Sequence, residues 1–269
     1  MGVLRAIGIA FLALLAVLLL LGFVGYLYYV NQLNQSKPQL VMNIPAGLYY
    51  KGPETTAIAG WYCIENINSS NYYSIQLNAW LNNELGIQDA YGAFVTLNGI
   101  TWQTALGDNV WGRSLNGTPV LLHASNPIND VTNAPCAWLV IALKNGVAYF
   151  GYSLDGRSIV WYDSYPVNAN YIISTVPGLP LHTDYTGIVL AGASNGEQAQ
   201  LNSALVYLAL YYWNGTTWVP APVGVNHGFQ TGETVNNAWV YASNTCGGVV
   251  SWPNPVNNTQ CPSPPSFKP

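Results

Sequence analysis

Hydrophobic and polar positions divide the chain into two unlike parts. The first is an apolar run of about 25 residues, at positions 6–30, without a charged side chain. At about 1.5 Å rise per helical residue the run extends roughly 38 Å, which exceeds the ~30 Å hydrocarbon core of a bilayer. Tyr26, Tyr28 and Tyr29 lie at its far end, where interfacial aromatic residues are common. The pattern predicts one transmembrane helix within residues 1–30.

The flanks of this run predict its orientation. Arg5 is the only charge before it, and positive charge favours the cytoplasmic side, so the N-terminus is expected in the cytoplasm and residues 31–269 outside the cell. A cleaved signal peptide is one alternative, although it calls for a shorter apolar stretch and a small-residue cleavage site. A pilin-like leader cut after Ala6 is another, in which the apolar helix would form a filament core.

The rest of the chain alternates short β-prone runs with turns rich in Asn, Gly, Pro and Ser. Asn145-Gly146 and Asp155-Gly156 are strong hairpin signals, because both pairs favour the positive φ of tight turns. The pattern predicts an all-β, antiparallel β-sandwich or jelly-roll ectodomain. The predicted divisions are a linker at 31–43, the β-domain at 44–245 and a Pro-rich tail at 246–269. The best strands are predicted at 60–64, 72–81, 137–143, 147–154, 158–165, 171–176, 187–192, 205–213 and 237–242.

Two features of this second part suit an extracellular location. Four cysteines make two disulfides the default in an oxidising compartment; of the three possible connectivities we favour Cys63–Cys136 and Cys246–Cys261, the second holding the tail. Four sequons for N-glycosylation also occur. Their acceptor residues are Asn68, Asn116, Asn214 and Asn257.

Composition narrows the function classes. Only 7% of the residues are charged, with 7 basic and 11 acidic side chains, against about 25% in an ordinary soluble domain. So few cations cannot form a basic surface for phosphates, which excludes a nucleic-acid partner. Surface polarity must come from uncharged groups, and a chain with few carboxylates has little stability to lose as they are protonated. The composition therefore fits acidic surroundings.

Motifs for known chemistry are few. Residues 192–196 match Gly-x-Ser-x-Gly around Ser194, but the nucleophile elbow of serine hydrolases needs a following helix and a parallel sheet, so a Gly/Asn-rich turn is the better interpretation. His123, His182 and His227 lie far apart without metal-ligand spacing, so no metal site and no cofactor are expected. Three acids in loop-like segments are candidates for a carboxylate pair of an acid peptidase, although turn capping is the simpler role. These acids are Asp108, Asp184 and Glu233.

Several short motifs in one order resemble the thermopsin family, acid peptidases of thermoacidophilic archaea. The segment at 210–241 carries the strongest likeness. The other matching motifs are Pro45-Ala46-Gly47, Ser74-Ile75-Gln76-Leu77-Asn78, Asp108-Asn109-Val110-Trp111, the Gly-rich turn at 192–197 and Thr231-Gly232-Glu233.

The resemblance implies an extracytoplasmic β-sandwich and peptide hydrolysis at low pH. Thermopsins are in turn similar to glutamic peptidases, in which a Gln and a Glu activate water and stabilise the oxyanion, and Gln76 matches the position of that Gln. Gly187 stands where the family tends to have Glu. Glu233, Asp184 or Asp108 would then have to supply the carboxylate, unless this copy has lost catalysis.

Two functions follow as hypotheses. We favour a membrane-anchored, non-catalytic thermopsin-like domain that serves as an accessory or structural subunit of a surface or membrane complex, contacting other proteins there. The alternative is a thermopsin-type acid endopeptidase acting on peptide substrates, and a pilin-like filament subunit is a second alternative. The missing glutamate at position 187 and the membrane tether at 6–30 favour the first hypothesis.

Overall fold

The computed structural model describes residues 20–21, 39–41, 45–83, 85–95, 102–113, 119–128, 134–175, 185–192, 197–225, 233–251 and 260–269. The chain divides into two compact units, Met1–Lys37 and Pro38–Pro269. Only Leu20 and Leu21 of the first unit are described; both are helical and exposed. Within the described residues, no helix is long and apolar enough to cross a bilayer. Apart from Leu20 and Leu21, the predicted anchor lies outside the described ranges, as do residues 31–38 and 42–43 of the predicted linker.

The second unit is built from strands, which confirms the all-β prediction. Eighteen strands are described: β1 Gln39–Val41, β2 Ala46–Tyr50, β3 Ala57–Ser69, β4 Tyr73–Leu81, β5 Gly86–Val95, β6 Trp102–Arg113, β7 Pro119–Ala124, β8 Cys136–Lys144, β9 Val147–Ser153, β10 Val160–Pro166, β11 Ile172–Ile173, β12 Gly187–Ala191, β13 Gln198–Trp213, β14 Trp218–Pro220, β15 Val223–Val225, β16 Thr234–Asn236, β17 Ala238–Ala242 and β18 Cys246–Ser251.

These strands form two sheets. The larger has ten strands in the order β1-β17-β18-β13-β3-β8-β9-β10, with β14 and β16 also paired to β13. The smaller has eight strands in the order β15-β2-β12-β4-β5-β6-β7, with β11 also paired to β4. Every described strand pair is antiparallel except β13 with β16. The long strand β13 pairs along most of its length with β3, which places these two strands at the centre of the larger sheet.

The predicted hairpin turns join β8, β9 and β10. Asn145 and Gly146 have φ values of 54° and 75°, which a tight turn with two left-handed residues requires. In the next turn, the Asp155 carboxylate accepts hydrogen bonds from the backbone N–H groups of Arg157 and Ser158, at 2.8 and 3.0 Å. Both local signals therefore give the expected antiparallel pairs.

The main core lies between the two sheets. Because successive side chains of a strand point to opposite faces, Ile75 and Leu77 of β4 point inward. They share one buried cluster with Leu139 and Phe150 of the larger sheet. We call the core-facing side of the smaller sheet its inner face and the opposite side its outer face.

A second cluster covers the other side of the larger sheet. Trp138, Tyr211 and Trp218 pack there with Phe267 of the C-terminal segment. The indole N–H of Trp218 donates to the Phe267 carbonyl oxygen at 2.8 Å, and a disulfide joins Cys246 of β18 to Cys261. The C-terminal segment is thereby held against the sheet. The second disulfide joins Cys63 to Cys136, which are register partners on β3 and β8, so the favoured pairing is the one observed.

Candidate active site

A row of polar side chains lies on the outer face of the smaller sheet. Ser74, Gln76 and Asn78 alternate along β4 with the inward apolar residues. Gln88 is the register partner of Asn78 on β5, and Asn109 is the partner of Gln88 on β6. Antiparallel partners share a face, so these five side chains form one continuous row across three strands. Ser74, Gln76, Asn78 and Gln88 are at most 4% exposed.

Hydrogen bonds link this row from end to end. Asn109 Nδ2 donates to Gln88 Oε1 at 3.1 Å, and Gln88 Nε2 donates to Asn78 Oδ1 at 2.9 Å. Asn78 Nδ2 donates to Gln76 Oε1 at 3.4 Å. We call this series the amide row. Because the Gln76 carbonyl faces Asn78, its amide nitrogen points to the other side.

On that side, Gln76 meets a carboxylate. Gln76 Nε2 donates to Glu233 Oε2 at 3.0 Å and to Ser74 Oγ at 2.8 Å. Ser74 Oγ in turn donates to the Gly192 carbonyl oxygen at 2.6 Å. Gln76 is 1% exposed and Glu233 is 8% exposed. We call Gln76 and Glu233 the Gln–Glu pair.

Backbone pairing holds Glu233 in place. Glu233 directly precedes β16, whose residue Thr234 pairs with Gln198 at the start of β13. The Thr234 N–H also donates to the Glu197 carbonyl oxygen at 3.0 Å. The carboxylate is therefore carried by an ordered strand terminus, which favours a fixed geometry at the pair.

The backbone explains why glycine stands at position 187. Gly187 pairs with Asn78 on one side and with Tyr49 on the other. A Cβ atom added there would lie 2.4 Å from the Leu48 carbonyl oxygen, so the strand arrangement does not admit a glutamate side chain. Glu233 instead brings a carboxylate to Gln76 from another element.

Asp108, a third sequence candidate, lies elsewhere. It belongs to the inner face, where Asp89 is its register partner. The Asp89 carboxylate accepts from the Tyr162 hydroxyl at 2.8 Å and from the Val140 N–H at 3.2 Å. Burial raises the pKa of Asp108 to about 7 and holds the pKa of Asp89 well above its usual range. The structure thus separates Asp108 from Gln76 by the thickness of the sheet.

Several of the other residues predicted from the sequence lie outside the described part of the chain. Asp184, Ser194, His182 and His227 lie outside the described residues, as do the sequon residues Asn116 and Asn257. Asn68 and Asn214 are exposed, so their glycosylation stays a prediction. Sequence reasoning missed Asp89, and it treated His123 as isolated although Nε2 of this residue lies 2.7 Å from Asp163 Oδ2.

A carboxylate and a carboxamide in this arrangement can act on a carbonyl compound. The carboxylate is an acceptor for a proton from water, and the amide N–H is a donor for an oxyanion. Residues 136–238 match the thermopsin family model, which confirms the resemblance found in the sequence motifs. Glu233 lies within the matched range, whereas Gln76 and Asp108 precede it.

Solved structures give two further comparisons. Scytalido-glutamic peptidase, in complex with a peptide-based transition state analogue, has 9% sequence identity and a TM-score of 0.40, covering 79% of this chain and 100% of its own. A functionally unknown protein from Saccharomyces cerevisiae has 11% identity and a TM-score of 0.30, covering 66% of this chain and 75% of its own. Among curated proteins, no sequence match was found.

Proposed function

We propose that the protein is a thermopsin-type acid endopeptidase whose reacting groups are Glu233 and Gln76. The observation that carries the proposal is the 3.0 Å contact between Gln76 Nε2 and Glu233 Oε2. The two residues lie 157 positions apart, and the fold brings them together on a buried polar face. This direct contact outweighs the glycine at position 187, which had favoured a non-catalytic domain.

The proposed reaction uses the two groups in turn. Glu233 accepts a proton from a water molecule as the water oxygen attacks the scissile carbonyl carbon, and the carbonyl oxygen becomes an oxyanion. An N–H group of Gln76 donates to that oxyanion. The protonated Glu233 then gives its proton to the departing amine as the C–N bond breaks, which restores the carboxylate.

The surroundings of Gln76 suit this role. Asn78 holds the Gln76 carbonyl oxygen, so the amide N–H groups stay directed toward Glu233 and the substrate side. A donor fixed in this way needs little reorganisation as charge develops. Asn78 and Gln88 are thus positioning residues in the proposal.

The proposal includes an acidic, extracellular setting. With only 7% charged residues the chain has few carboxylates to lose by protonation, which supports activity at low pH. Residues 6–30 are proposed as a membrane tether that keeps the domain on the outer surface, where unfolded proteins or peptides are its substrates.

The test is cleavage of a denatured protein by the full chain in detergent between about pH 2 and 6. Wild type should cleave, and Glu233→Gln should lower kcat by about 10²- to 10⁴-fold because the base is lost. Gln76→Ala should lower it by about 10²- to 10³-fold through loss of the oxyanion donor. Glu65→Gln, a matched change at an exposed glutamate, should leave the rate unchanged.

The results distinguish three cases: an enzyme that uses the Gln–Glu pair, an enzyme with a different site, and a non-catalytic protein. Cleavage that persists in both variants would remove the Gln–Glu pair as the site while keeping an enzyme. No cleavage at any pH by folded wild type would favour the second candidate, a non-catalytic accessory subunit of a surface complex. The near-complete burial of Gln76 and Glu233 is the observation that favours this second candidate, because a peptide must reach both groups.

A further inference from the structure

A second polar cluster lies between the two sheets, at the edge formed by β7 and β10. It contains Asp108 of β6, His123 of β7 and Asp163 of β10. His123 Nε2 lies 2.7 Å from Asp163 Oδ2 and 3.8 Å from Asp108 Oδ2. One ligand atom from each residue falls within 4.8 Å of the other two. None of the three belongs to the Gln–Glu pair or to the amide row.

Asp108 is the residue that makes this cluster unusual. It is 2% exposed, and neither of its carboxylate oxygens has a hydrogen-bond partner among the described residues. His123 Nε2 lies 3.8 Å from Asp108 Oδ2, which is beyond hydrogen-bond distance, and an oxygen of the Asp163 carboxylate lies within 4.8 Å of the Asp108 carboxylate. A buried carboxylate in this state calls for a proton or a cation. Within the described part of the chain, no lysine or arginine pairs with it.

β-Bulges direct side chains into the cluster. The register of β10 against β9 shifts between Trp161 and Asp163, so Tyr162 is the extra residue. As a result, both Tyr162 and Asp163 reach the inner side, where Tyr162 donates to Asp89. The register of β6 against β7 also shifts, directly after the pair Val110 and His123. Bulges that re-aim side chains are common beside functional sites.

The spacing fits one small divalent ion. Zinc binds carboxylate oxygen and imidazole nitrogen at about 2.0–2.2 Å, so tetrahedral ligand atoms lie about 3.4 Å apart. The observed 2.7 and 3.8 Å separations bracket this value. The side chains of His123 and Asp163 are 26% and 24% exposed, which gives an ion and a water ligand access from solvent.

Two further residues restrain the candidate ligands. The Tyr165 ring stacks on the His123 imidazole with centroids 4.7 Å apart and an angle of 24°, which restrains the ring plane. The Ser125 hydroxyl oxygen accepts from the Asp108 N–H at 2.8 Å and fixes the backbone there. Such supporting contacts are typical of metal ligands and orient them.

We propose that Asp108, His123 and Asp163 bind one divalent transition-metal ion of the zinc class, with water completing its coordination. Two carboxylate oxygens and an imidazole nitrogen are ligands that this class accepts. The ion would sit between the sheets and tie β6 and β7 of one to β10 of the other. The sequence predicted no metal site because no spacing along the chain indicates this cluster.

Zinc binding to the full chain tests the proposal. Tag-free protein in detergent is stripped with chelator at pH 7, and Zn²⁺ binding is measured by calorimetry and by metal analysis after dialysis. We expect one ion per chain, bound at least about tenfold more weakly after Asp163→Asn or His123→Ala. Cobalt(II) should give the visible absorption of a low-coordinate site in wild type, and this absorption should disappear in both variants.

A matched control removes the other two histidines of the chain, His182 and His227, by alanine substitution. This double variant should keep the full affinity for zinc. The proposal is overturned if folded wild type binds no ion. It is also overturned if Asp163→Asn and His123→Ala, shown to be folded by circular dichroism, bind as tightly as wild type. Peptidase activity plays no part in these measurements, so the two proposals fail independently.

Discussion

The smaller sheet carries buried polar side chains on both faces, and the two sets differ in how their hydrogen bonds are satisfied. On the outer face, the amide row passes hydrogen bonds from Asn109 through Gln88 and Asn78 to Gln76. On the inner face, Asp108 is equally buried, yet no hydrogen bond to its carboxylate oxygens comes from any described residue. The outer set is complete as it stands, whereas the inner set requires a proton or an ion.

Burial alone therefore does not determine the role of a polar side chain. A satisfied row restrains the orientation of its members, which suits a positioning role. An unsatisfied carboxylate weakens the fold unless something binds to it. Substitutions on the two faces should therefore change stability in opposite directions.

The largest stability effect is expected in the amide row. Gln88→Leu removes the donor to Asn78 Oδ1 and the acceptor of Asn109 Nδ2. A stranded buried polar group costs about 1–3 kcal/mol and the half-buried Asn109 amide less, so the free energy of unfolding should fall by roughly 2–5 kcal/mol in denaturant titrations. Asn202→Leu, at an exposed amide, should change it by less than about 0.5 kcal/mol. Equal losses in the two variants would mean that the row contributes nothing beyond a surface contact.

A smaller effect of opposite sign is expected on the inner face. With chelator present, Asp108→Asn should raise the free energy of unfolding at pH 8 by about 1–3 kcal/mol, because it removes an unpaired buried charge. Since burial raises the pKa of folded Asp108 to about 7, the contribution of this group to stability is full below about pH 3.8 and is lost as the pH rises through about 7.

The pH dependence separates this account from a simple packing effect. Wild type should lose stability between pH 4 and 8 relative to Asp108→Asn, and the two proteins should converge at pH 4. Burial and the Asp108 charge both raise the pKa of Asp89, so the difference between the two proteins reports Asp108 together with its coupling to Asp89. A variant that is less stable than wild type at both pH values would show that the carboxylate is satisfied in the fold.

The smallest effect is expected at an exposed carboxylate. The backbone N–H groups of Arg157 and Ser158 hold the pKa of Asp155 at about 2. The resulting stability is present above about pH 3.8 and is lost as the pH falls through about 2, the reverse of Asp108. Asp155→Asn should remove a small decrease in Tm that wild type shows between pH 4 and 2. An unchanged decrease in the variant would assign it to other carboxylates.

The sequence predicts one strand of the outer face and both residues of the Gln–Glu pair. The alternation along 72–81 indicates β4, and the motif there indicates Gln76. The sequence also indicates Glu233 as a candidate acid. Its contact with Gln76, however, depends on the parallel pairing of β16 with β13, which no local pattern encodes. The pairing of both disulfides agrees with the favoured connectivity.

The inner face could not be predicted. Strands β5 and β6 contain Gly86, Asp89, Gly107 and Asp108, and residues of these types favour turns over strands. The sequence therefore does not predict the cross-strand pairing of Asp89 with Asp108. The contact of His123 with Asp163 joins edge strands of different sheets, and it depends on a bulge that has no sequence signal.

The central pairing of β3 with β13 has a consequence for biosynthesis. The paired residues Cys63 and Tyr207 are about 140 positions apart, so at roughly 5 to 20 residues per second β3 waits roughly 7 to 28 s for its partner. In that interval β8 can pair with one edge of β3, and Cys63 can meet Cys136. The other edge stays open until β13 emerges, and an open edge is prone to aggregation. A ribosome that stalls between these two strands would therefore leave its product exposed to misassembly.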